Sequence, residues 1–220
     1  MTTGGRLLSV NVGSPRQIEW LGRVEATSIW KEPIEGRIPV RGVNVAGDDQ
    51  ADREVHGGPD KAVYAYARED TDWWEKELGR DLEHGVFGEN LTTQGVDVCG
   101  AVVGEHWEVG SAALEVCQPR IPCWKLGARM GDQNFPVYFA AAGRPGAYLR
   151  IMREGEIGAG DEIRVVEQPG HGVTVGEVAR IYHQERARAR TLLSVPQLAP
   201  EWREWAAKRV GGPERESAEV

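Results

Sequence analysis

Short apolar runs separated by turn residues set the rhythm of this chain, and few of them keep a helical period. Six runs have the length and apolar content of strands, at 7–12, 26–30, 63–66, 113–117, 148–152 and 162–166. The 28 Gly and 12 Pro are spread between such runs rather than gathered into low-complexity tracts, as expected of many short strands and tight turns. The strand at 162–166 has the clearest setting, because Gly158-Ala159-Gly160-Asp161 supplies a turn directly before it. The segment 70–79 predicts a short helix, with Asp70 and Asp72 at its start, where the helix dipole favours acids, and Gly79 as its stop. A second short helix is expected at 124–130, after a pair of prolines.

The pattern changes near Gln168-Pro169-Gly170-His171-Gly172. Beyond it Thr174-Val175-Gly176-Glu177 fits a capping box. Val175, Val178, Ala179 and Tyr182 then recur at the i, i+3, i+4, i+7 spacing of an amphipathic helix. Pro200 suits the first turn of a further helix that ends before Gly211-Gly212, and 191–195 suits a short one stopped by Pro196. The expected architecture is mainly β with α: a β-rich body over 1–168 and a small helical extension and tail over 169–220. The apolar stripe needs a surface to cover, so the extension is expected to pack on the body or to form a partner-docking face, without carrying the chemistry. The sequence shows no convincing internal repeat.

Composition narrows the function classes. At 220 residues the chain can bury a substantial core. A formal net charge of −8 argues against general affinity for nucleic acid or anionic membranes, while leaving room for a local basic pocket. Three cysteines form no paired framework, no basic-apolar leader is read, and no run approaches the roughly 18 apolar residues of a membrane span. These features predict a soluble cytoplasmic protein. The eight tryptophans are scattered and are expected mainly in the core.

Three dense segments carry the candidate chemistry. In Cys117-Gln118-Pro119-Arg120-Ile121-Pro122-Cys123-Trp124-Lys125 the prolines stiffen the backbone and push their predecessors toward extended geometry. Arg120 and Cys123 are thereby held on an irregular turn, and Arg120 and Lys125 favour the thiolate, the form that attacks an electrophile or binds a soft metal. Cys117 reads as a small core residue continuing the strand; for Cys123 a functional role takes precedence over the usual burial of a free thiol. The second segment, Asp52 to Tyr64, centres on His56-Gly57-Gly58-Pro59-Asp60-Lys61. Its glycines leave backbone amides open to a ligand, and Arg53 and Lys61 supply charge for a phosphate, although a solvated polar turn explains the same residues. The third, Gly85 to Thr93, offers Glu89 and Asn90 as hydrogen-bonding groups, or simply a turn before a strand. No GxxxxGK[ST], GxGxxG, CxxC or HExxH pattern is present. A Cys/His hydrolase built from Cys123 with His56 or His106 is conceivable, but nothing in the sequence brings those residues together.

Taken in order, HGGxDKAVYAY at 56–66, FGENLT at 87–92 and QPRxPCxKL at 118–126 resemble the motifs of MOSC-domain proteins, in particular the YiiM-type branch with a C-terminal three-helix extension. The resemblance covers about 5–212. It implies a β-barrel-like MOSC domain, the molybdenum cofactor (molybdopterin with molybdenum) and, among family properties, pyridoxal phosphate binding. It implies Cys123 as catalytic residue and metal ligand, His56, Asp60, Asn90 and Arg120 as pocket residues, and Arg53, Lys61 and Lys125 as further cofactor contacts. The activity implied is reduction of N-hydroxylated compounds such as N-hydroxylated purines, with electrons from a separate reductase protein, since no flavin or nicotinamide motif is visible. A cofactor or sulfur carrier without its own turnover is the competing expectation, and a plain interaction barrel the third. A homodimer is carried as a further expectation.

Overall fold

The computed structural model describes residues 4–49 and 57–211. The first strand, β1 (Gly4–Val12), leads into a hairpin of β2 (Arg16–Trp20) and β3 (Arg23–Thr27), then β4 (Glu32–Ile34) and the short pair β5 (Ile38–Arg41) and β6 (Asn44–Val45). A 3-10 turn at Pro59–Lys61 precedes β7 (Val63–Ala67) and α1 (Arg68–Leu78). The strands β8 (Leu91–Gln94), β9 (His106–Val109) and β10 (Ala112–Pro119) follow, then α2 (Trp124–Met130) and α3 (Phe135–Ala142). The body closes with β11 (Ala147–Arg153), β12 (Gly155–Ile157) and β13 (Glu162–Glu167). The extension comprises α4 (Val175–His183), a 3-10 helix at Arg186–Ser194 and α5 (Pro200–Val210).

Seven strands run in the order β13-β9-β10-β11-β7-β8-β1, and β1 pairs back onto β13 through Gly5 and Ile163. The sheet is thus a closed barrel, which leaves no edge along those strands. The β7–β8 pair is parallel and the other barrel neighbours are antiparallel. Period-2 alternation sorts β7 between two cores. Val63, Ala65 and Ala67 enter the barrel cluster, while Tyr64 and Tyr66 point into an aromatic cluster with Trp74, Phe87, Phe135 and Phe139. That second cluster fills the space between the barrel and α1–α3, and its rings meet tilted or stacked, as at Trp74 and Phe139 with centroids 5.9 Å apart.

Five of the six expected strands fall inside observed ones. The exception is 26–30: pairing with β2 ends at Thr27, so Ser28 to Trp30 leave the ladder as a loop. The helix at 70–79 begins earlier, at Arg68, and ends as expected at Gly79 in the left-handed region with φ 64. The helix α3 lacks the amphipathic stripe that would have revealed it, because PVYFAAA is apolar almost throughout. The helix expected at 191–195 is instead the 3-10 segment Arg186–Ser194. At Thr174 the hydroxyl accepts from Glu177 N at 3.1 Å, as a cap should, but the Glu177 carboxylate turns to Arg188 instead of closing the box.

The extension does not have a core of its own. Val175, Val178, Ile181, Leu192 and Trp202 belong to the same apolar cluster as Leu7, Trp107 and Leu149 of the barrel. A bridge between Val102 and Thr174 and a bond from Val103 N to Val173 O at 3.0 Å stitch the junction. The 168/169 boundary therefore marks a change of element type and not of core.

Candidate functional site

At the end of β10 the chain stops pairing at Pro119 and runs without regular structure through Arg120, Ile121 and Pro122, as the proline spacing predicts. Cys123, extended at φ −126 and ψ 175, caps α2. Its thiol is half-buried on the wall of a cavity also lined by Lys31, Asp48, Asn90, Arg120 and Tyr148.

Arg120 is the least compensated group there. It is only 7 % exposed, and its Nη1 finds no hydrogen-bond partner among the described residues. Its guanidinium carbon lies 5.3 Å from the centre of the Tyr64 ring and 5.8 Å from that of Phe139. Burial works against its charge, but Tyr64, Tyr148 and Cys123 outweigh that and hold it protonated. The same burial pushes the Tyr64 and Tyr148 hydroxyls up, so both remain neutral donors. A buried cation with an unused donor is costly unless something anionic meets it.

Opposite stands a pair that no pattern along the chain singles out. Lys31, 8 % exposed, is ion-paired with Asp48. Burial pulls its ammonium below the ordinary value, against the opposing pull of Asp48. Asp48 also accepts from Gly13 N at 2.8 Å and from Asn90 Nδ2 at 2.9 Å. No local motif surrounds Lys31, and its partner lies 17 positions away; only the fold joins them. Close backbone approach supports this corner: a Cβ on Gly85, which has φ 83, would meet Lys31 O at 2.6 Å.

Asn90 reaches the cavity wall, but its amide is fully engaged. Its Oδ1 accepts from Tyr64 N at 3.0 Å and its Nδ2 donates to Asn11 O at 3.2 Å as well as to Asp48. It orients β7, β1 and Asp48 rather than offering a free edge. Its neighbour Glu89, fully buried, accepts from Gly85 N at 2.6 Å, Phe87 N at 3.0 Å and the Thr92 hydroxyl at 3.0 Å. The FGENLT segment is thus the clasp that shapes the cavity floor.

Other expected site residues divide. Lys125, buried on α2, lines the cavity and pairs with Glu25 of the β2–β3 hairpin at 3.6 Å. Lys61 lines it too, and pairs with Glu201 of α5 at 3.2 Å. Asp60 is not among the lining residues: its carboxylate is ion-paired with Arg150, and its carbonyl accepts from Cys117 Sγ at 3.0 Å and Gln118 Nε2 at 2.8 Å. The demands of Arg150, which also bonds Glu115 at 2.5 Å, hold that carboxylate away from the cavity. Arg53 and His56 lie outside the described residues. His106 sits between Glu115 and Glu167 on the barrel wall, not on the cavity of Cys123. Cys117 is fully buried in β10, and burial pushes its thiol up, as befits a core residue.

Among the described residues no three His, Cys, Asp or Glu side chains gather where a metal could sit. A metal beside Cys123 would therefore depend on donors brought by its own ligand. The residues present fit such a group: Arg120 and Lys125 answer its anionic parts, and one accessible sulfur answers a soft metal. Among the described residues no helix is long and apolar enough to cross a membrane.

The family model for the MOSC domain matches residues 52–164. The Bacillus subtilis protein YflK is 34% identical over 200 residues, 90% of each chain. A Gibberella moniliformis protein named reductase is 28% identical over 198 residues, 88% of this chain and 35% of that one. The crystal structure of YiiM from Geobacillus stearothermophilus superposes with a TM-score of 0.78 at 31% identity, covering 94% of this chain and 99% of that one. The closed barrel and the helical extension are therefore shared along nearly the whole length, and the chain belongs to the MOSC-domain family, in its YiiM-type branch.

Proposed function

We propose that this chain is a molybdenum-cofactor-dependent oxidoreductase that reduces N-hydroxylated compounds to amines. The observation that carries the reading is the buried Nη1 of Arg120, unpartnered among the described residues, in the cavity of the half-buried Cys123 thiol. Arg120, with Lys125 beside it, would hold the anionic part of the cofactor, and Cys123 Sγ would ligate its metal. When bound, the cofactor supplies the two-electron removal of oxygen from R–NHOH, which with two protons gives R–NH2 and water. Tyr148, kept protonated by burial, provides an O–H donor on the same wall as Cys123. Lys31 and Asp48 brace the opposite wall as a closed ion pair. Electrons would come from a separate reductase protein, and the similarity to a protein named reductase supports redox chemistry in this lineage.

The test is protein purified from a cofactor-competent host, analysed for molybdenum and pterin, and supplied with an electron donor and a panel of hydroxylamines, amidoximes and N-oxides. Multiple turnovers on at least one hydroxylamine are expected. If loaded, reducible protein turns over none of them but hands its cofactor or sulfur to an acceptor, the carrier reading replaces this one.

A further inference from the structure

We infer that the β2–β3 hairpin and the adjoining face of α2 form the docking surface for a small acidic redox protein, the electron donor of this chain. That the partner donates electrons rests on the reductase reading; that it is acidic and lands here does not.

Cross-strand pairing fixes what the hairpin presents. Arg16 stands opposite Thr27, Ile18 opposite Glu25 and Trp20 opposite Arg23, so these side chains share one face. That face looks toward α2 and the cavity of Cys123. Glu25 meets Lys125, Arg23 lies 5.8 Å from the centre of the Trp124 ring, and Thr27 lines the cavity. Glu19 and Val24 fall on the opposite face.

Two observations single this region out. The first is charge. Arg16, Arg23 and Arg129 pair with no acid among the described residues and stand against indoles instead. The guanidinium carbon of Arg16 is 4.0 Å from the centre of the Trp30 ring, and that of Arg129 is 5.8 Å from the same centre. Burial lowers the pKa of Arg129, and the charge of Arg16 lowers it further. Its Nε is buried with no partner among the described residues. Glu83, Glu89 and Glu32 favour its charge only from beyond ion-pair distance. The acid on the hairpin's inner face, Glu25, is engaged by Lys125. In a chain of net charge −8 this is a local excess of the opposite sign, which steers and orients an acidic partner. Guanidinium groups already ordered on indoles meet carboxylates at little further entropic cost.

The second observation is the tip. The turn Leu21-Gly22 has φ 50 and φ 77, the left-handed pair of a type I′ hairpin, whose first position favours Asn, Asp or Gly. A leucine is strained there, its side chain is 67 % exposed, and neither apolar cluster includes it. Strain kept at a residue that serves no core points to contact with another molecule.

Position identifies the partner. Trp124 follows Cys123 directly, and Lys125 and Thr27 line its cavity, so a protein seated here brings its own redox centre beside the thiol. Trp30 and Trp124, both half-buried, thus depart from the expectation that the tryptophans serve mainly as core, which holds for the buried Trp74, Trp107 and Trp202.

Two acidic redox proteins serve as probes, a plant-type [2Fe–2S] ferredoxin and a flavodoxin, each titrated by calorimetry into the cofactor-loaded chain. At least one is expected to bind at low ionic strength, with affinity that falls as salt rises. Arg16→Glu combined with Arg23→Glu should weaken that binding about tenfold. Leu21→Asn should weaken it about threefold while Tm stays level or rises, an outcome that a structural role for Leu21 would not give. Turnover driven by the protein donor should fall in both variants, and turnover driven by reduced methyl viologen, which needs no docking, should not. If the double variant loses its circular dichroism signature, Leu21→Asn alone carries the comparison. Binding of neither probe, or equal affinity in wild type and variants, overturns the surface. So does a concentration-dependent dimer in sedimentation that Leu21→Asn dissolves, because the tip then belongs to a second copy. Probe binding lost in the variants of a protein that reduces no hydroxylamine with either donor keeps the acidic docking surface and removes the reductase reading, so the two fail separately.

Discussion

Arg120 and Cys123 stand three positions apart, and the prolines around them explain why both face one cavity. The residues of this stretch make opposed predictions. Cys123→Ala should keep the fold and lose molybdenum retention and turnover, since its sulfur is half-exposed on the cavity wall. Cys117→Ala should retain molybdenum but cost about 1 kcal/mol, or roughly 2–4 °C of Tm, because its buried Sγ donates to the Asp60 and Tyr148 carbonyls. Metal analysis and thermal melts on both variants decide the pair; molybdenum at full occupancy in Cys123→Ala would sink the ligand assignment. Arg120→Met makes a sharper demand. Replacing a buried cation whose Nη1 has no partner among the described residues by an apolar chain of similar length should leave the Tm of the cofactor-free protein unchanged or raised, while molybdenum retention falls. A lower Tm in the cofactor-free variant would mean that Arg120 serves the fold.

At the scale of elements, the hairpin of β2 and β3 stands outside the barrel and contributes Glu25 against Lys125, while the loop after it supplies Lys31. The extension contributes on the other side of Cys123. Its α4 carries His183, whose pKa burial lowers first and Arg186 lowers further. A histidine with a depressed folded value binds fewer protons folded than unfolded, so its contribution to stability is complete above the ordinary value of 6.5 and is lost as pH falls from there through the folded value. The protection factors of α4 amides, the exchange rates taken relative to their intrinsic values at each pH, should therefore fall on acidification below about 6.5, and His183→Gln should flatten that dependence. His84, lowered likewise by burial, adds a slope in the same direction elsewhere, which is why the local probe is needed. An unchanged pH profile of α4 in His183→Gln contradicts the assignment.

At the scale of the whole molecule, barrel and extension share one apolar cluster. Burying a large apolar side chain stabilises by about 1.5–3 kcal/mol, and the extension places Val175, Val178, Ile181, Leu192 and Trp202 in that cluster. Their joint loss rivals the ~5–15 kcal/mol that holds an ordinary domain together. A chain ending at Gln168 is thus expected to show no cooperative unfolding transition. A sharp melt from that truncation would restore the view of the body as a self-sufficient unit.

What the sequence determined by itself was local or motif-borne. Turn residues and short apolar runs located most barrel strands, Gly79 and Thr174 ended and began helices where expected, and three ordered motifs carried the family and singled out Cys123 and Arg120. Local interactions suffice for these, because a cap or a proline acts within a few residues. The pairing of Lys31 with Asp48, the capture of Asp60 by Arg150, the closure of β1 on β13 and the seating of Arg23 against Trp124 were decided only in three dimensions. Each depends on which distant segment arrives beside it, and no spacing along the chain encodes that. Asn90 shows both levels in one residue: its motif marked it for the site, and only the tertiary bonds to Tyr64, Asn11 and Asp48 revealed that it holds the cavity walls together.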